Sequence, residues 1–269
     1  MGDVGLLLIG AVLLVNGLGL LGHASGRSAA PLNLLVGGAQ LVLPTLGLVL
    51  DHGTPGAAAT YAPIYLFGFT YVWVGVDALR GNSGKAFGLF SGFVAVVAVL
   101  EGLLALRTDP AFAASWWLWA LMWGGFFALQ GLGITRLGGA SLPAVLGWLL
   151  ILGGQLSATV PGLLRLEAAW PGGQGWFVVL VLVAAALGVA LSWALGRAGV
   201  GVSAGVGVSA GDAAGASGSG AASQAEAAVA VDGTGPTASA SAIRTPEGAS
   251  ASAQPPLHRP GAGAEAIRG

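Results

Sequence analysis

Seven long apolar stretches within residues 1–195 constrain the fold of this chain more than any other feature of its sequence. A helix needs about 20 mostly apolar residues to cross roughly 30 Å of hydrocarbon, and each stretch comes close to that length. The predicted spans are residues 4–22, 32–50, 63–79, 87–106, 116–135, 143–164 and 176–195. Because short connectors join them, we expect an all-α integral membrane protein, a bundle of six to seven transmembrane helices in hairpin pairs.

The composition separates this apolar part from a different carboxyl-terminal segment. Hydrophobic residues make up 55% of the chain and charged residues only 8%, whereas soluble globular proteins carry about 25% charged residues. All aromatic residues lie at or before Trp193, and residues 198–269 consist mainly of Ala, Gly, Ser, Val and Pro. Such a segment cannot bury enough apolar area to offset the loss of chain entropy on folding, so we predict a disordered tail.

The distribution of positive charges between the connectors predicts the orientation in the membrane. One side of the predicted bundle carries Arg27, Arg80, Lys85, Arg136 and Arg197. The other side carries Arg107 and Arg165. Cytoplasmic loops hold the excess of Lys and Arg, so the amino terminus is predicted to lie outside and the tail in the cytoplasm. The net charge of −1 argues against a nucleic-acid partner.

No motif in the sequence supplies a catalytic set. Residues 17–22 fit the GxGxxG pattern, but they end a predicted membrane helix instead of joining a strand to a helix, as a dinucleotide site requires. The chain has no Cys, and His23, His52 and His258 lie far apart. No nucleophile, general base or metal-ligand cluster emerges from these residues. We therefore predict a protein that is not an enzyme and that has no cofactor and no bound metal.

Two acidic residues within the spans are candidates for coupling transport to an ion gradient. Glu101 lies near the end of the fourth span, and Asp77 lies three residues before Arg80, a spacing that predicts a helical ion pair. Both lie near an interface, whereas an ion-coupled carrier needs carboxylates at mid-membrane beside broken helices. Pro44 and Pro161 are the residues that would break spans two and six. The sequence favours uncoupled transport and leaves an ion-coupled carrier as the alternative.

Glycines at four-residue spacing enter the fourth span at Gly84, Gly88 and Gly92. Small residues let membrane helices approach closely, because lipid provides no hydrophobic force between apolar helices. The expected role is tight packing within the bundle, and contact between subunits is the alternative.

The fifth span carries an aromatic face. At about 100° per residue, Trp116, Trp119, Trp123, Phe127 and Gln130 fall within an arc of about 80°. Tryptophans gather at membrane interfaces, but the last two aromatic residues of this face lie deeper than an interface. A face that packs or contacts lipid is one interpretation, and the wall of a pore is the other.

Matching faces occur on two other spans. The third span presents Phe67, Thr70, Tyr71 and Val74 at helical spacing, and the first presents Leu6, Ile9, Leu13 and Asn16. A slot between such faces would admit a small, flat, neutral solute and would reject ions, which leave water only where charges or dense dipoles replace it. Urea and short amides fit this description.

Several segments resemble the urea/amide channel family, which includes acid-gated urea channels and the amide transporters of amidase operons. The resemblance rests on Val-Asn-Gly at 15–17, Leu-Asn-Leu-Leu-Val-Gly-Gly at 32–38, Leu-Phe-Gly-Phe-Thr-Tyr at 66–71 and the tryptophan spacing. It covers about residues 1–164 and implies a six-helix protomer of three hairpin pairs with its own pore, in a hexameric ring in the inner membrane. The implied role is to supply a cytoplasmic urease or amidase. The implied pore lining is Leu6, Ile9, Leu13, Asn16, Phe67, Thr70, Tyr71, Trp116, Trp119 and Trp123.

The resemblance has three limits. Acid-gated relatives carry a longer outer loop rich in His and acidic residues, whereas residues 51–62 hold one His and one carboxylate, so we expect a pore that is open at neutral pH. Gly153 stands where gated relatives carry a carboxylate. The seventh span lies beyond the resemblance. We therefore divide the chain into a channel core at 1–164, a connector and seventh helix at 165–197 and a tail at 198–269. A membrane sensor or scaffold that acts through this tail is a further alternative.

Overall fold

The structure is a computed structural model that describes residues 2–203 of the chain. Within this part, seven helices are long and apolar enough to cross a membrane, so the predicted class, a helical membrane bundle, is confirmed. In chain order, spans one to seven are Gly2–Leu20, Gly26–Leu50, Ala57–Arg80, Lys85–Ala105, Pro110–Gly131, Leu142–Leu166 and Gly175–Ala198. The predicted disorder of residues 204–269 lies outside the described residues.

Successive spans cross in alternate directions, because each connector is short. We name the two ends of the bundle after the first span. The amino-terminal side holds Gly2 and the connectors at residues 51–56, 106–109 and 167–174. The opposite side holds residues 199–203 and the connectors at residues 21–25, 81–84 and 132–141. In the last of these, Arg136–Leu137 pairs with Ala140–Ser141 as a short antiparallel hairpin.

Spans two, three and five each begin six residues earlier than predicted, and a polar side chain caps spans two and five. Span two starts at Gly26, where the Ser25 hydroxyl accepts a hydrogen bond of 3.1 Å from the backbone N–H three residues later. Span five starts at Pro110, where the Asp109 carboxylate accepts the same kind of bond at 3.1 Å. Such caps satisfy backbone donors that have no partner within the helix. The predicted connector at residues 23–30 and the predicted start of span five are therefore wrong.

Three spans are each built from more than one helical segment. Span three joins Ala57–Tyr61 to Ile64–Arg80, span five joins Pro110–Phe126 to a π-helical turn at Phe127–Gly131, and span six joins Leu142–Gly154, a π-helical turn at Gln155–Thr159 and Val160–Leu166. A π-helical turn contains an extra residue and so rotates the residues that follow it. Neither Pro44 nor Pro161 breaks its span: Pro44 lies inside the helix of span two, and Pro161 follows the second π-helical turn directly.

The spans pack as three antiparallel hairpins, formed by spans two and three, four and five, and six and seven, with span one against spans six and two. Glycines allow the closest approaches. A Cβ atom on Gly88 would lie 2.6 Å from the backbone carbon of Gln130 in span five, and one on Gly37 would lie 2.6 Å from the backbone nitrogen of Val72 in span three. These glycines therefore serve packing within the chain.

Residues 199–203, which the sequence assigns to the tail, fold back against the bundle. Gly199, with φ of 68°, ends span seven. Beyond it, Trp148 Nε1 donates to the carbonyl oxygen of Val200 at 2.9 Å, and the backbone N–H of Ser203 donates to the carbonyl of Leu21 at 2.8 Å. The chain is thus fixed to spans one and six as far as residue 203.

The predicted ion pair between Asp77 and Arg80 does not form. Asp77 Oδ1 instead accepts a hydrogen bond of 2.6 Å from the side-chain amide of Asn82. Within residues 2–203, the single ion pair joins Arg165 and Asp109 on the amino-terminal side. The neighbouring amide reaches Asp77 because span three ends at Arg80, and the next residue, Gly81, has a left-handed conformation.

Replacing Gly88 with Ala is expected to destabilise the protein by about 1–3 kcal/mol, the usual cost of overpacking. The added methyl group meets the backbone of span five, which cannot move aside as a flexible side chain would. The midpoint of thermal unfolding in detergent, followed by helical circular dichroism, measures the effect. Gly38→Ala is the matched control, because nothing lies within 4 Å of its added Cβ, and equal stability of the two variants would contradict the packing role.

Candidate pore

Two cavities follow one another through the middle of the bundle. The vestibule, about 620 Å³, opens on the amino-terminal side and narrows towards Leu6, Ile9, Phe67, Trp116 and Trp119. The neck, about 30 Å³, lies deeper and has room for little more than a molecule of the size of water. Two side chains, Phe67 and Trp119, line both cavities. The cavities are therefore consecutive along one axis.

All ten residues that the resemblance implies as pore lining contact one of these cavities. Leu6, Ile9 and Trp116 line the vestibule, Phe67 and Trp119 line both cavities, and Leu13, Asn16, Thr70, Tyr71 and Trp123 line the neck. They come from spans one, three and five, whose α-helical parts present them at the spacing the sequence indicates. The structure thus brings the predicted set together at one place.

Phe67 is the centre of the aromatic cluster between vestibule and neck. Its ring centroid lies 4.8 Å from that of Trp119, edge to face, and 4.7 Å from that of Trp123. Trp116 lies 5.0 Å from Trp119, also edge to face. Edge-to-face contact is a preferred geometry of aromatic pairs, so each ring holds its neighbour in place. The cluster makes the narrow passage rigid.

The two deeper tryptophans differ in their hydrogen bonding. Trp123 Nε1 donates to Thr70 Oγ1 at 3.2 Å, and that hydroxyl donates in turn to the carbonyl of Leu66 at 2.7 Å. Trp119 Nε1 is buried and has no partner within the described residues. An unpaired buried donor costs free energy, and Trp119 lies where the vestibule meets the neck. Its N–H is thus a donor without a partner among the described residues, in a side chain that lines both cavities.

Asn33, which is not among the ten residues implied as pore lining, holds the side chain of Asn16. Asn16 Nδ2 donates to Asn33 Oδ1 at 2.9 Å, and Asn33 Nδ2 donates back at 2.8 Å. Asn33 is almost fully buried and also donates to the carbonyl of Ala29 at 3.0 Å. An amide in the middle of an apolar span was the available signal for this residue. Asn33 fixes the orientation of the Asn16 amide in the neck.

The face predicted on span five ends at Trp123. The π-helical turn begins at Phe127, so Phe126 lines the neck in place of Phe127. The ring of Phe127 packs against Gly92, and Gln130 lies against Gly84. The prediction that Phe127 continues the tryptophan face is wrong, because it assumes a constant 100° per residue.

Other lining residues carry no periodic signal. Gln40 and Phe112 line the vestibule, and Met122 and Leu150 line the neck. Gln40 is a single amide within an apolar span, and the other three are ordinary apolar members of their spans. Span six contributes Leu150 because it packs against span one, a pairing that residue spacing does not reveal.

Charged residues stay outside the neck. Glu101, Asp3 and the Asp109–Arg165 ion pair line the vestibule. The Arg165 guanidinium also lies over the ring of Phe112, at 4.5 Å, and Trp170 Nε1 donates to Asp109 Oδ2 at 2.9 Å. The residues that line the neck are all uncharged. An ion that entered it would lose its water without a charged replacement.

The described residues hold no group of three or more His, Cys, Asp or Glu side chains that could bind a metal ion. The hydrogen-bonding groups at the neck are amides, hydroxyls and indoles. The arrangement suits a neutral molecule that offers both donors and acceptors.

The chain is similar to known membrane transporters and channels. It is 40% identical over 199 residues to a protein of Mycolicibacterium smegmatis named for the transport of amidate substrates, covering 73% of this chain and 91% of that one. It is 42% identical over 206 residues to the protein named transporter AmiS2 of Rhodococcus erythropolis, covering 74% and 96%. An acid-activated urea channel of Helicobacter pylori strain J99 is 26% identical over 195 residues, covering 61% and 97%.

Solved structures agree with these relatives. The crystal structure of the urea channel from Helicobacter pylori superposes with a TM-score of 0.57 at 27% identity, covering 63% of this chain and 99% of that one. The cryo-electron microscopy structure of this channel in its closed state gives a TM-score of 0.55 at the same identity. The model of the AmiS/UreI family transporters matches residues 1–169. This protein is therefore a multi-pass membrane protein that belongs to the AmiS/UreI family of transporters.

Proposed function

We propose that this protein is a channel that passes urea or short aliphatic amides down their concentration gradient. The observation that carries this proposal is the uncharged neck, in which aromatic faces alternate with a few neutral hydrogen-bonding groups. The names of the relatives, a urea channel and a transporter of amidate substrates, support this class of solute. Because the family consists of transporters, membrane transport is the general activity. Because the neck is uncharged, we expect a neutral solute.

The lining of the proposed pore is Leu6, Ile9, Leu13, Asn16, Phe67, Thr70, Tyr71, Trp116, Trp119 and Trp123. A flat solute would place its faces against the rings around Phe67, while its edges reach polar groups. The Trp119 N–H would donate to the solute carbonyl, and the Asn16 and Thr70 oxygens would accept from solute N–H groups. Each of these bonds replaces one that the solute made with water.

Passive flow is the proposed mode of transport. An ion-coupled carrier binds its ion near the middle of the membrane, usually at a carboxylate. Here Glu101 and Asp109 lie in the vestibule, and the neck between them and the opposite side is neutral. Glu101 is the residue that favours the alternative, an ion-coupled amide carrier. Transport without any ion gradient separates the two.

The remaining proposals concern the setting of the channel. We propose a homo-oligomer, a hexamer by resemblance to the family, in the inner membrane with the amino terminus outside and the tail in the cytoplasm. Each protomer would hold its own pore, because the vestibule and the neck are formed within one chain. The tail would then lie on the same side as a urease or amidase that consumes the solute.

Purified protein in liposomes is expected to pass urea and acetamide in the absence of any ion gradient. We expect similar permeability at about pH 5 and about pH 7, since no carboxylate or imidazole lines the neck. Stopped-flow light scattering measures the permeability at each pH. Saturable uphill accumulation that requires a gradient would establish the carrier instead. Strong activation by acid that disappears in His52→Ala would overturn the expectation of an open pore.

Trp119→Phe is expected to lower urea permeability roughly two- to tenfold, the loss of one hydrogen bond of about 0.5–1.5 kcal/mol. The substitution removes the buried N–H that has no partner, together with part of the indole ring, and Trp123→Phe removes the same part of a ring from the neck. Trp123→Phe is the matched control, because that N–H already donates to Thr70. If Trp119→Phe conducts urea as well as the wild type does, Trp119 does not bind the solute.

Removing residues 204–269 is expected to leave urea permeability unchanged, because both cavities lie within residues 2–165. The truncation point preserves the hydrogen bond from Ser203 to Leu21. Permeability per protein, measured in liposomes with equal reconstitution, tests this expectation. Loss of transport in the truncated protein would favour a sensor or scaffold that acts through its tail.

A further inference from the structure

A third cavity, about 340 Å³, opens on the opposite side of the bundle, at the end of spans three and five. It is lined by Val74, Asp77, Asn82, Ser83, Phe87 and Gln130, among others. None of these residues is among the ten that the resemblance implies as pore lining, although Val74 and Gln130 belong to the faces predicted on spans three and five. The cavity is more polar than its position among apolar spans would suggest, since it combines two amides, a carboxylate and a hydroxyl.

The third cavity continues the line of the neck. Span three lines the neck with Tyr71 and the third cavity with Val74, about one helical turn further on. Span five does the same, with Phe126 in the neck and Gln130 in the third cavity. The two cavities therefore follow one another along the same two spans, although no described residue lines both of them.

One aromatic contact separates the neck from the third cavity. The ring of Phe126, which lines the neck, lies 5.7 Å from that of Phe87, which lines the third cavity, at an interplanar angle of 69°. Phe87 is 2% exposed and lies beside Trp73 in span three, with ring centroids 6.4 Å apart. Phe126 is less tightly enclosed, because it is only partly buried. Its side chain is therefore the less enclosed half of this contact.

Gln130 supplies an unpaired polar atom beyond the barrier. Its Oε1 is buried and has no hydrogen-bond partner among residues 2–203. The amide reaches this position over Gly84, where a Cβ atom would lie 2.6 Å from Oε1, so a larger residue would displace it. Asp77 lies in the same cavity, with one oxygen bonded to Asn82. These acceptors match the N–H groups of urea and of primary amides.

We propose that the solute leaves the neck between Phe126 and Phe87 and binds at Gln130 in the third cavity before it reaches water. The proposal rests on the proposed function, because it assigns a second urea or amide site to the same pore. Phe126 is then the side chain that limits passage, and Gln130 replaces the hydrogen bonds that the solute gives up on leaving Asn16 and Thr70. The exit runs along spans three and five and not along span one.

The chain has no cysteine, so a single engineered one can be modified selectively. Ser83→Cys places a thiol in the exposed part of the third cavity, and Leu137→Cys places one on the same side, in the hairpin, away from all three cavities. Each variant is labelled in detergent with the anionic sulfonatoethyl methanethiosulfonate and reconstituted, and its urea permeability is compared with that of the unlabelled variant. Mass spectrometry confirms labelling.

Labelled Ser83→Cys is expected to lose most of its urea permeability and to recover it with dithiothreitol, while labelled Leu137→Cys stays unchanged. If the unlabelled variants and the wild type conduct no urea, the proposed function fails and this proposal fails with it. If they conduct and labelling at Ser83 has no effect, the exit is wrong while the channel stands.

A second pair of variants tests the barrier. Phe126→Ala is expected to raise urea permeability severalfold, because it joins the neck to the third cavity. Phe127→Ala is the matched control, since that ring packs against Gly92 and Gly131 and lines none of the cavities. Gln130→Leu is expected to lower permeability roughly two- to tenfold, as the loss of one hydrogen bond does. Equal permeability of Phe126→Ala and Phe127→Ala would overturn the assignment of Phe126.

Discussion

Hydrogen bonds from buried amides hold the first span in place, and the arrangement of the pore depends on them. Apolar helices in lipid gain no hydrophobic energy by touching each other, so packing and polar contacts decide how they are rotated. Gln40 Nε2 donates to the carbonyl of Gly5 at 2.8 Å, and Gln155 Nε2 donates to the carbonyl of Gly10 at 3.0 Å. Further along the span, Asn16 bonds to Asn33. The four residues of span one that are implied as pore lining, Leu6, Ile9, Leu13 and Asn16, lie along this same stretch. Rotation of the span would break four hydrogen bonds at once, because Asn16 and Asn33 exchange two.

The two π-helical turns are the local distortions that make these arrangements possible. Gln155 and Thr159 bound the turn in span six, where Thr159 Oγ1 donates to Gln155 Oε1 at 2.7 Å and so satisfies the end of the amide that does not reach span one. In span five the turn follows Phe126 and brings Gln130 to the opposite side of the bundle. Extra residues within membrane helices frequently mark functional sites. Here the turn in span six holds span one through Gln155, and the turn in span five ends the tryptophan face of the proposed pore.

The sequence predicts those parts of the fold that depend on composition and on regular periodicity. The number of spans follows from apolar length, and the faces of spans one, three and five follow from about 100° per residue as long as the helix stays α-helical. Periodicity fails after Trp123, because nothing in residues 127–131 marks a π-helical turn. The contact between Gln155 and Gly10 joins residues 145 positions apart, and local patterns contain no information about such a pair. For the same reason, Trp119 and Trp123 look alike in the sequence although only one of them has a hydrogen-bond partner.

Buried polar atoms without partners have a common location in this protein. Within residues 2–203 they are Trp119 Nε1, Gln130 Oε1 and Arg165 Nε. Inside a membrane, each polar atom without a hydrogen-bond partner costs several kcal/mol. In a chain with so few polar side chains, we expect such atoms to be paired. All three residues line cavities on the proposed path: Arg165 in the vestibule, Trp119 where the vestibule meets the neck, and Gln130 beyond Phe126. On the proposed path, water or a neutral solute with both donors and acceptors would supply the partners that these atoms lack within the chain.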